Sequence, residues 1–325
     1  MSMSQALNWK SVAPKLDVGN LIRSVGVPFI GIVLFLFFWQ VGANQVDTSL
    51  GKFPGPSEVY LQAKNLVQEH QDARAKEAAF YKRQDERNAK KLAKDPNAKI
   101  KVRKYTGKET FFDQILTSLV TVLSGFIVAT IIAVPLGIMI GLSKTLNSAL
   151  NPVIQTFKPV SPLAWLPLVT MVVSAVYVSD DPFFAKSFLN SMITVTLCCL
   201  WPTVLNTSVG VASVSQDLQN VSKVLRLNWI THVRKIVLPS SIPMIFTGLR
   251  LSLGIAWMVL IAAEMLAQNP GLGKFVWDEF QNGSSNSLGR IMVAVLVIGF
   301  IGFLLDYAML QLQKAVNWDK SSQTR

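Results

Sequence analysis

Cysteine, histidine and charge are all scarce in this chain. Its 325 residues include two cysteines and two histidines, and 15% of them are charged. Cys198 and Cys199 adjoin inside an apolar run, so they read as small buried hydrophobes. His70 and His232 lie far apart with no cysteine cluster near either, which argues against a metal site. The motif GxxxxGK followed by Ser or Thr is absent. The chain therefore has no phosphate-cradling loop of its own, and any ATP behind its work is hydrolysed on another subunit. No nucleophile–base or metal constellation points to an enzyme. A secondary transporter or channel would need its own coupling-ion site. Neither paired intramembrane carboxylates nor matched broken helices in two halves are found, so that class stands only as an alternative.

What the chain has instead is apolar length. Hydrophobic residues make up 50% and the mean hydropathy is +0.38, whereas a soluble domain carries about 25% charged residues. The apolar residues come in runs of roughly 17–25, the length that crosses ~30 Å of hydrocarbon. Candidate spans fall at 25–43, 115–142, 159–178, 187–214, 251–263 with its flanks, and 291–305. The expectation is an all-α, polytopic membrane protein of about six helices. Val41-Gly42-Ala43 resembles a signal-peptide cleavage site. The first run, at ~19 residues, is longer than the usual apolar region of a signal, about 7–15, and reads as an uncleaved span.

Basic residues in short loops collect on the cytoplasmic side. With the N-terminus inside, the interior segments hold Lys10, Lys15, Arg23, Lys144, Lys223, Arg226, Arg234, Lys235, Lys314, Lys320 and Arg325 against Asp17, Asp217 and Asp319. The short outer loops hold Lys186, Lys274 and Arg290 against Asp180, Asp181, Asp278 and Glu279. Both termini are expected in the cytoplasm.

Residues 44–114 carry 15 of the 31 basic and 10 of the 19 acidic residues. A loop of that length is translocated regardless of charge. Pro54-Gly55-Pro56 begins it, 58–94 is polar and rich in helix formers, and Asp95-Pro96-Asn97 makes a turn. KIKVR at 99–103 then alternates like a short strand. The segment reads as a solvated helical hairpin, or as a docking surface or electrostatic funnel for anions.

Several polar residues sit inside the apolar runs. Gly137 and Gly141 share a helix face and let another helix approach. Pro152, Pro159, Pro162 and Pro167 break the third span, either lining a pathway or kinking it for packing. Ser118, Thr121, Ser124 and Thr130 in the second span, with Asn190, Ser191, Thr194 and Thr196 in the fourth, supply neutral hydroxyls and amides. These suit interhelical bonding or brief contact with a small anion; Ser118, Thr121, Asn190 and Thr194 are candidates to line a path. Arg250 and Asp306, at matching depth in the fifth and sixth spans, suggest an ion pair, because lone charges in lipid cost roughly 2.5–3.5 kcal/mol each. Glu264, near the outer end of the fifth span, suits a packing hydrogen bond, or a gate. Arg250 and Glu264 join the path candidates.

One interior stretch interrupts the apolar pattern: NVSKVLRLNWITHVRKIVLP at 220–239. Helical signals run over 217–235, and Pro239 with Pro243 is expected to end that helix and begin the fifth span. A basic amphipathic helix here could lie on anionic headgroups or insert into a groove on another protein.

This stretch resembles the cytoplasmic loop of ABC importer permeases, the inner-membrane components of binding-protein-dependent transport. The family pattern is EAA, three residues, Gly, nine residues, then I-x-LP. Asn220, Val221 and Ser222 occupy the EAA positions, followed by Lys223, Val224 and Leu225. Arg226 stands at the glycine, and Ile236, Leu238 and Pro239 at the end. Arginine adopts positive φ only at a cost, so a more continuous helix is expected here, or an arginine pairing with an acidic groove. FPGPSEV (53–59), TSLVTVLSGF (117–126), PLGIMIGLSK (135–144), NPVIQTFKPVSPLAWLPL (151–168), IPMIFTGLRLSLGIAWMVLIAAEML (242–266), PGLGKFVWD (270–278) and IGFIGFLLD (298–306) extend the similarity. They look like the permease group serving nitrate, sulfonate, taurine and bicarbonate, with NVSKVLRLN and GLRLSLGIAW most similar to nitrate-type members.

The resemblance implies a type I importer permease fold in a bacterial inner membrane. Its parts would be a cytoplasmic segment (1–24), a first helix (25–43), a charged periplasmic insert (44–114), a five-helix core (115–312) containing the coupling loop 215–241, and a cytoplasmic tail (313–325). The implied substrate is a small anion, nitrate or nitrite, with bicarbonate, taurine or another organosulfonate as alternatives. The implied partners are a second permease copy, two cytoplasmic ATPase subunits carrying ATP and magnesium, a periplasmic binding protein and the bilayer. Neither a cofactor on this chain nor a nucleic acid is implied.

Overall fold

The computed structural model describes residues 26–48, 51–94, 100, 102–178, 183–284 and 286–316. The expected termini at 1–24 and 317–325, and the turn at Asp95-Pro96-Asn97, lie outside the described residues. The chain is helical nearly throughout: α1 (Val27–Ala43), α2 (Pro56–Lys94), α3 (Phe111–Leu142), α4 (Lys144–Phe157), α5 (Pro162–Val176) and α6 (Lys186–Ala212). Then come α7 (Gln216–Val224), α8 (Trp229–His232), a π-helical turn (Val233–Val237), α9 (Leu238–Ala267), α10 (Leu272–Asn282) and α11 (Ser287–Val316). A small antiparallel ladder pairs β1 (Asp47–Thr48) with β2 (Gly51–Lys52).

Among the described residues, four helices are long and apolar enough to cross a membrane, Phe111–Leu142, Lys186–Ala212, Trp229–Ala267 and Ser287–Val316. The expected third span is different from the sequence reading. It is a bent pair, α4 and α5, meeting at 99°. Pro159 falls in the break, while Pro162 starts α5 behind Ser161, whose Oγ accepts the Leu163 N–H. Counting the pair as one span gives five, and α1 has 17 residues.

The centre of the bundle is α3 packed along α6, with α9 antiparallel to both. Gly137 and Gly141 permit this closeness. A Cβ on Gly137 would stand 2.6 Å from Thr207 Cβ, and one on Gly141 2.6 Å from the Ser208 carbonyl oxygen. On the other flank Thr203 N–H donates to Ser252 Oγ at 3.2 Å, joining α6 to α9. Val122, Val195, Val204 and Leu260 are sealed in this core. Cys199 is buried with them, and both cysteines are free.

Among its described residues the charged insert has a single 39-residue helix, α2, rather than a helical hairpin. Its base is fastened where α3 and α11 begin. Val59, Gln62 and Leu66 are buried, and Gln62 Nε2 donates to Asn286 Oδ1 at 3.2 Å. Arg290 pairs with Glu69 at 2.7 Å, and His70 Nδ1 meets Thr110 Oγ1 at 2.7 Å. The return segment is irregular. Ile100, Val102 and Arg103 form no strand, while Lys99 and Lys101 lie outside the described residues; the backbone at 103 and 105 finds side-chain acceptors on α2 instead of a partner strand. Arg103 N–H donates to Gln84 Oε1 at 2.7 Å and Tyr105 N–H to Tyr81 Oη at 3.2 Å. The base of α2 and the segment 215–237 lie at opposite ends of the bundle, as the directions of α3, α6 and α11 require.

Candidate functional site

The segment 215–241 is a bent pair of short helices. Ser215 Oγ caps α7 by accepting the Leu218 N–H at 3.4 Å, with Asp217 in the first turn and Lys223 in the last, both favourable to the helix dipole. Asn228 Oδ1 caps α8 through the Thr231 N–H at 2.8 Å. Between them the expected continuous helix is absent. Arg226 adopts φ 48°, in the left-handed region.

The bond pattern explains why. Leu227 N–H donates to the Ser222 carbonyl and Arg226 N–H to the Lys223 carbonyl, each at 3.1 Å. These are the two bonds of a Schellman cap, normally closed by glycine. The left-handed penalty for a side chain is about 1–2 kcal/mol, and two satisfied carbonyls offset it. Arg226, at the position where the family pattern has glycine, thus takes a conformation that glycine adopts most easily.

The helix also does not stop at Pro239. Trp229–Ala267 runs continuously, with the π-helical turn just before the proline. There Leu238 N–H reaches back to the Val233 carbonyl, a register shift that carries the chain past a residue lacking an N–H. Val237 is buried against Ile138 and Val211, with Leu238 beside it, and Ile236 is buried as well, so the back of the loop is anchored. Its front is open: Val221, Val224, Leu225, Trp229 and Ile230 are exposed, as are Asn220, Lys223 and Pro239. Ser222 is buried, and His232 Nδ1 lies 2.8 Å from its Oγ. Sequence reading had no signal for this histidine beyond its presence.

The polar residues of the spans are mostly sealed. Ser118, Thr121, Thr194 and Glu264 are 0% exposed, and Asn190 is buried beside them. Thr121 and Thr194 donate to carbonyls of their own helices, Thr117 and Asn190, at 2.8 and 2.7 Å. Ser124 and Thr130 bond back in the same way, while Thr196 Oγ1 reaches across to the Gly125 carbonyl at 3.1 Å. Ser118, Thr121, Asn190, Thr194 and Glu264 are thus closed off from solvent in this conformation.

Glu264 is a packing centre. Ser118 Oγ lies 2.8 Å from Oε1, Gly273 N–H donates to Oε2 at 2.9 Å, and Leu272 N–H donates to Ser118 Oγ at 2.9 Å. The carboxylate thereby ties α3, α9 and the start of α10 together. A Cβ on Gly273 would fall 2.2 Å from the Ile261 carbonyl oxygen, so the start of α10 sits directly on α9.

Of the path candidates, Arg250 alone is outside this sealed core. It pairs with Asp306 as expected, Nη2 donating to Oδ2 at 2.6 Å, and both line a cleft of about 550 Å³.

Residues 133–318 match the family described as binding-protein-dependent transport system inner membrane component. The chain belongs to that family. It is 35% identical over 208 residues to the nitrate import permease NrtB of Synechococcus elongatus, covering 61% of this chain and 71% of that protein. The bicarbonate transport permease CmpB of the same organism is 31% identical over 289 residues, 89% of this chain and 88% of that one. A putative aliphatic sulfonates permease of Bacillus subtilis is 28% identical over 173 residues, 53% and 58% of the two chains. Among solved structures, the MetNI methionine ABC transporter has a chain with the same fold. It aligns with TM-score 0.55 and 12% identity over 63% of this chain and 95% of that one. This importer permease is a multi-pass subunit of the inner membrane and is not itself an enzyme. Family membership implies ATPase subunits and a substrate-binding protein as partners.

Proposed function

We propose that this permease forms the path of an ATP-driven importer for a small inorganic oxyanion, nitrate first and nitrite with it. Two copies form the path along their interface. Two cytoplasmic ATPase subunits hold ATP and magnesium, and the permease holds no cofactor. A soluble binding protein delivers the anion to the face that bears α2. Both termini lie in the cytoplasm, an orientation supported by the basic residues of the short interior loops. In it α1, ~26 Å long at 1.5 Å per residue, is the sixth span.

The observation that carries this reading is the open front of α7 and α8. Val224, Leu225 and Trp229 stand 81, 62 and 61% exposed, on a unit anchored from behind by Ile236 and Val237. Lys223 and Arg226 flank them. An apolar ridge with a basic rim fits a groove on an ATPase subunit, as an amphipathic helix fits its target. Closure of the ATPases around ATP brings the two ridges together and opens the path outward; hydrolysis resets it. Ser118, Thr121, Asn190, Thr194 and Glu264, sealed here, are exposed to the anion only in another state.

Nitrate is favoured by the loop and fifth-span residues most similar to nitrate permeases. Bicarbonate is the second reading, because the bicarbonate relative aligns along more of the chain; organosulfonates such as taurine come third. Uptake of labelled nitrate, bicarbonate and taurine in cells with and without this chain decides. Nitrate uptake alone should vanish and return with the chain. Loss of another anion instead overturns the substrate and keeps the permease.

A further inference from the structure

Charged side chains at hydrocarbon depth face protein or water rather than lipid. Arg250 lies within α9 about 26 Å from its Ala267 end at 1.5 Å per residue, near the cytoplasmic end of the fifth span read from the sequence. Its partner Asp306 comes from α11. Two parallel bonds join them, Nε to Oδ1 at 2.5 Å and Nη2 to Oδ2 at 2.6 Å. Even so, the side chains remain 39 and 45% exposed. They open onto the cleft bounded by Thr247, Gly254, Met258 and Gln313. Nothing lies within 4 Å of where a Cβ on Gly254 would stand, so the cleft floor is bare beside the pair.

A guanidinium has two donor edges, each a planar fork that matches two oxygens of a trigonal anion. Asp306 fills the edge made by Nε and Nη2. The other edge, Nη1 with the second N–H of Nη2, has no acceptor among the described residues. A carboxylate, nitrate and bicarbonate share the same trigonal plane of oxygens, so the open edge repeats the geometry already satisfied by Asp306.

We propose that the open edge of Arg250 is a recognition site for a trigonal planar oxyanion in transit through the membrane part of this permease. The proposal rests on the importer reading and adds to it a site carried by the permease itself. Asp306 has two effects. It fixes the fork so that the free edge is pre-oriented, and it neutralises most of the cation. An anion then meets hydrogen-bond donors without an unpaired positive charge, which keeps it from being held too tightly to leave. Chloride, a sphere, cannot use both donors of the edge in the same way.

The test uses the purified permease–ATPase complex in lipid nanodiscs without its binding protein. NMR line broadening of labelled nitrate and bicarbonate reads weak binding, with chloride as competitor. Wild type should broaden at least one of the two oxyanions, and chloride should compete poorly. Arg250→Lys keeps a cation for Asp306 but lacks the second edge. It should weaken the oxyanion about tenfold, the scale of one charge-assisted hydrogen bond. Asp306→Asn, which leaves the arginine unneutralised, should tighten binding about tenfold and slow import. Unchanged broadening in Arg250→Lys overturns the site, as does a wild type that broadens neither anion. Should Arg250→Lys fail to assemble, Asp306→Asn decides, and unaltered affinity there overturns the site. Import is measured separately. Broadening through Arg250 without import of either anion refutes the substrate reading and keeps the site; nitrate import without such broadening does the reverse.

Discussion

Ser222 Oγ and His232 Nδ1 stand 2.8 Å apart across the bend of the segment 215–241, so α8 is bonded back onto α7. Both halves of the ridge proposed to dock on the ATPase are therefore held in one orientation. A net hydrogen bond of this kind contributes about 0.5–1.5 kcal/mol. Ser222→Ala and His232→Ala should each weaken ATPase-subunit binding several-fold, and the double variant should lose no more than one of them. Effects that simply add would show that the two side chains act independently.

Arg226 sits where the backbone prefers glycine. Arg226→Gly should raise the thermal stability of the permease by about 1 kcal/mol, the left-handed penalty of a side chain, while a β-branched Arg226→Val should lower it. If the arginine also touches an acidic groove, Arg226→Gly should weaken ATPase assembly at low salt and matter little at high salt. Deleting 223–228 should abolish assembly with the spans still folded; normal assembly of that deletion would refute the docking role.

The ion pair at Arg250 was legible because two lone charges in neighbouring apolar runs have few other partners. Gly137 and Gly141 were legible because a spacing of four places two missing side chains on one face. The bend at Arg226 was not. Its φ penalty is small beside two satisfied carbonyls and the buried anchor of Ile236 and Val237, and none of these is visible in residue type. Nor was the passage through Pro239, which depends on a change of hydrogen-bond register just upstream. The path residues fail for a different reason. A threonine inside a helix can always donate to the carbonyl four residues back, as Thr121 and Thr194 do, so its presence says nothing about what it faces. Glu264 takes one donor from the start of α10 nine residues on, through Gly273, a contact that no helical periodicity reports.

That cluster makes its own prediction. Glu264 accepts from Ser118 and Gly273 in full burial, and a buried donor left unsatisfied costs about 1–3 kcal/mol. Glu264→Ala orphans both donors and should destabilise the complex more than Glu264→Gln, whose carbonyl still serves one of them. Gly273→Ala, driven against the Ile261 carbonyl, should be as damaging as Glu264→Ala. Thermal unfolding in detergent ranks the three; a harmless Gly273→Ala would mean that the start of α10 is free to move off α9.

The far half of α2 carries the densest charge in the described chain. Arg83, Arg87, Lys90, Lys91 and Arg103 surround a cleft of about 570 Å³ with no acidic residue in its lining, and none of the five forms an ion pair among the described residues. The return segment even brings Arg103 towards like charges, held there by its backbone bond to Gln84. Changing Arg83, Arg87, Lys90 and Lys91 to glutamine together removes repulsion and no contact of the core, so the permease should fold and assemble normally. What should change is the salt response. Steering by such a surface raises association rates about tenfold or more at low ionic strength and fades as the Debye length shrinks to ~10 Å at 0.1 M. Uptake by the wild type should therefore fall with salt, and uptake by the glutamine variant should start several-fold lower and stay flat. Parallel salt curves for the two would reduce α2 to a solvated strut, with its charge serving solubility alone.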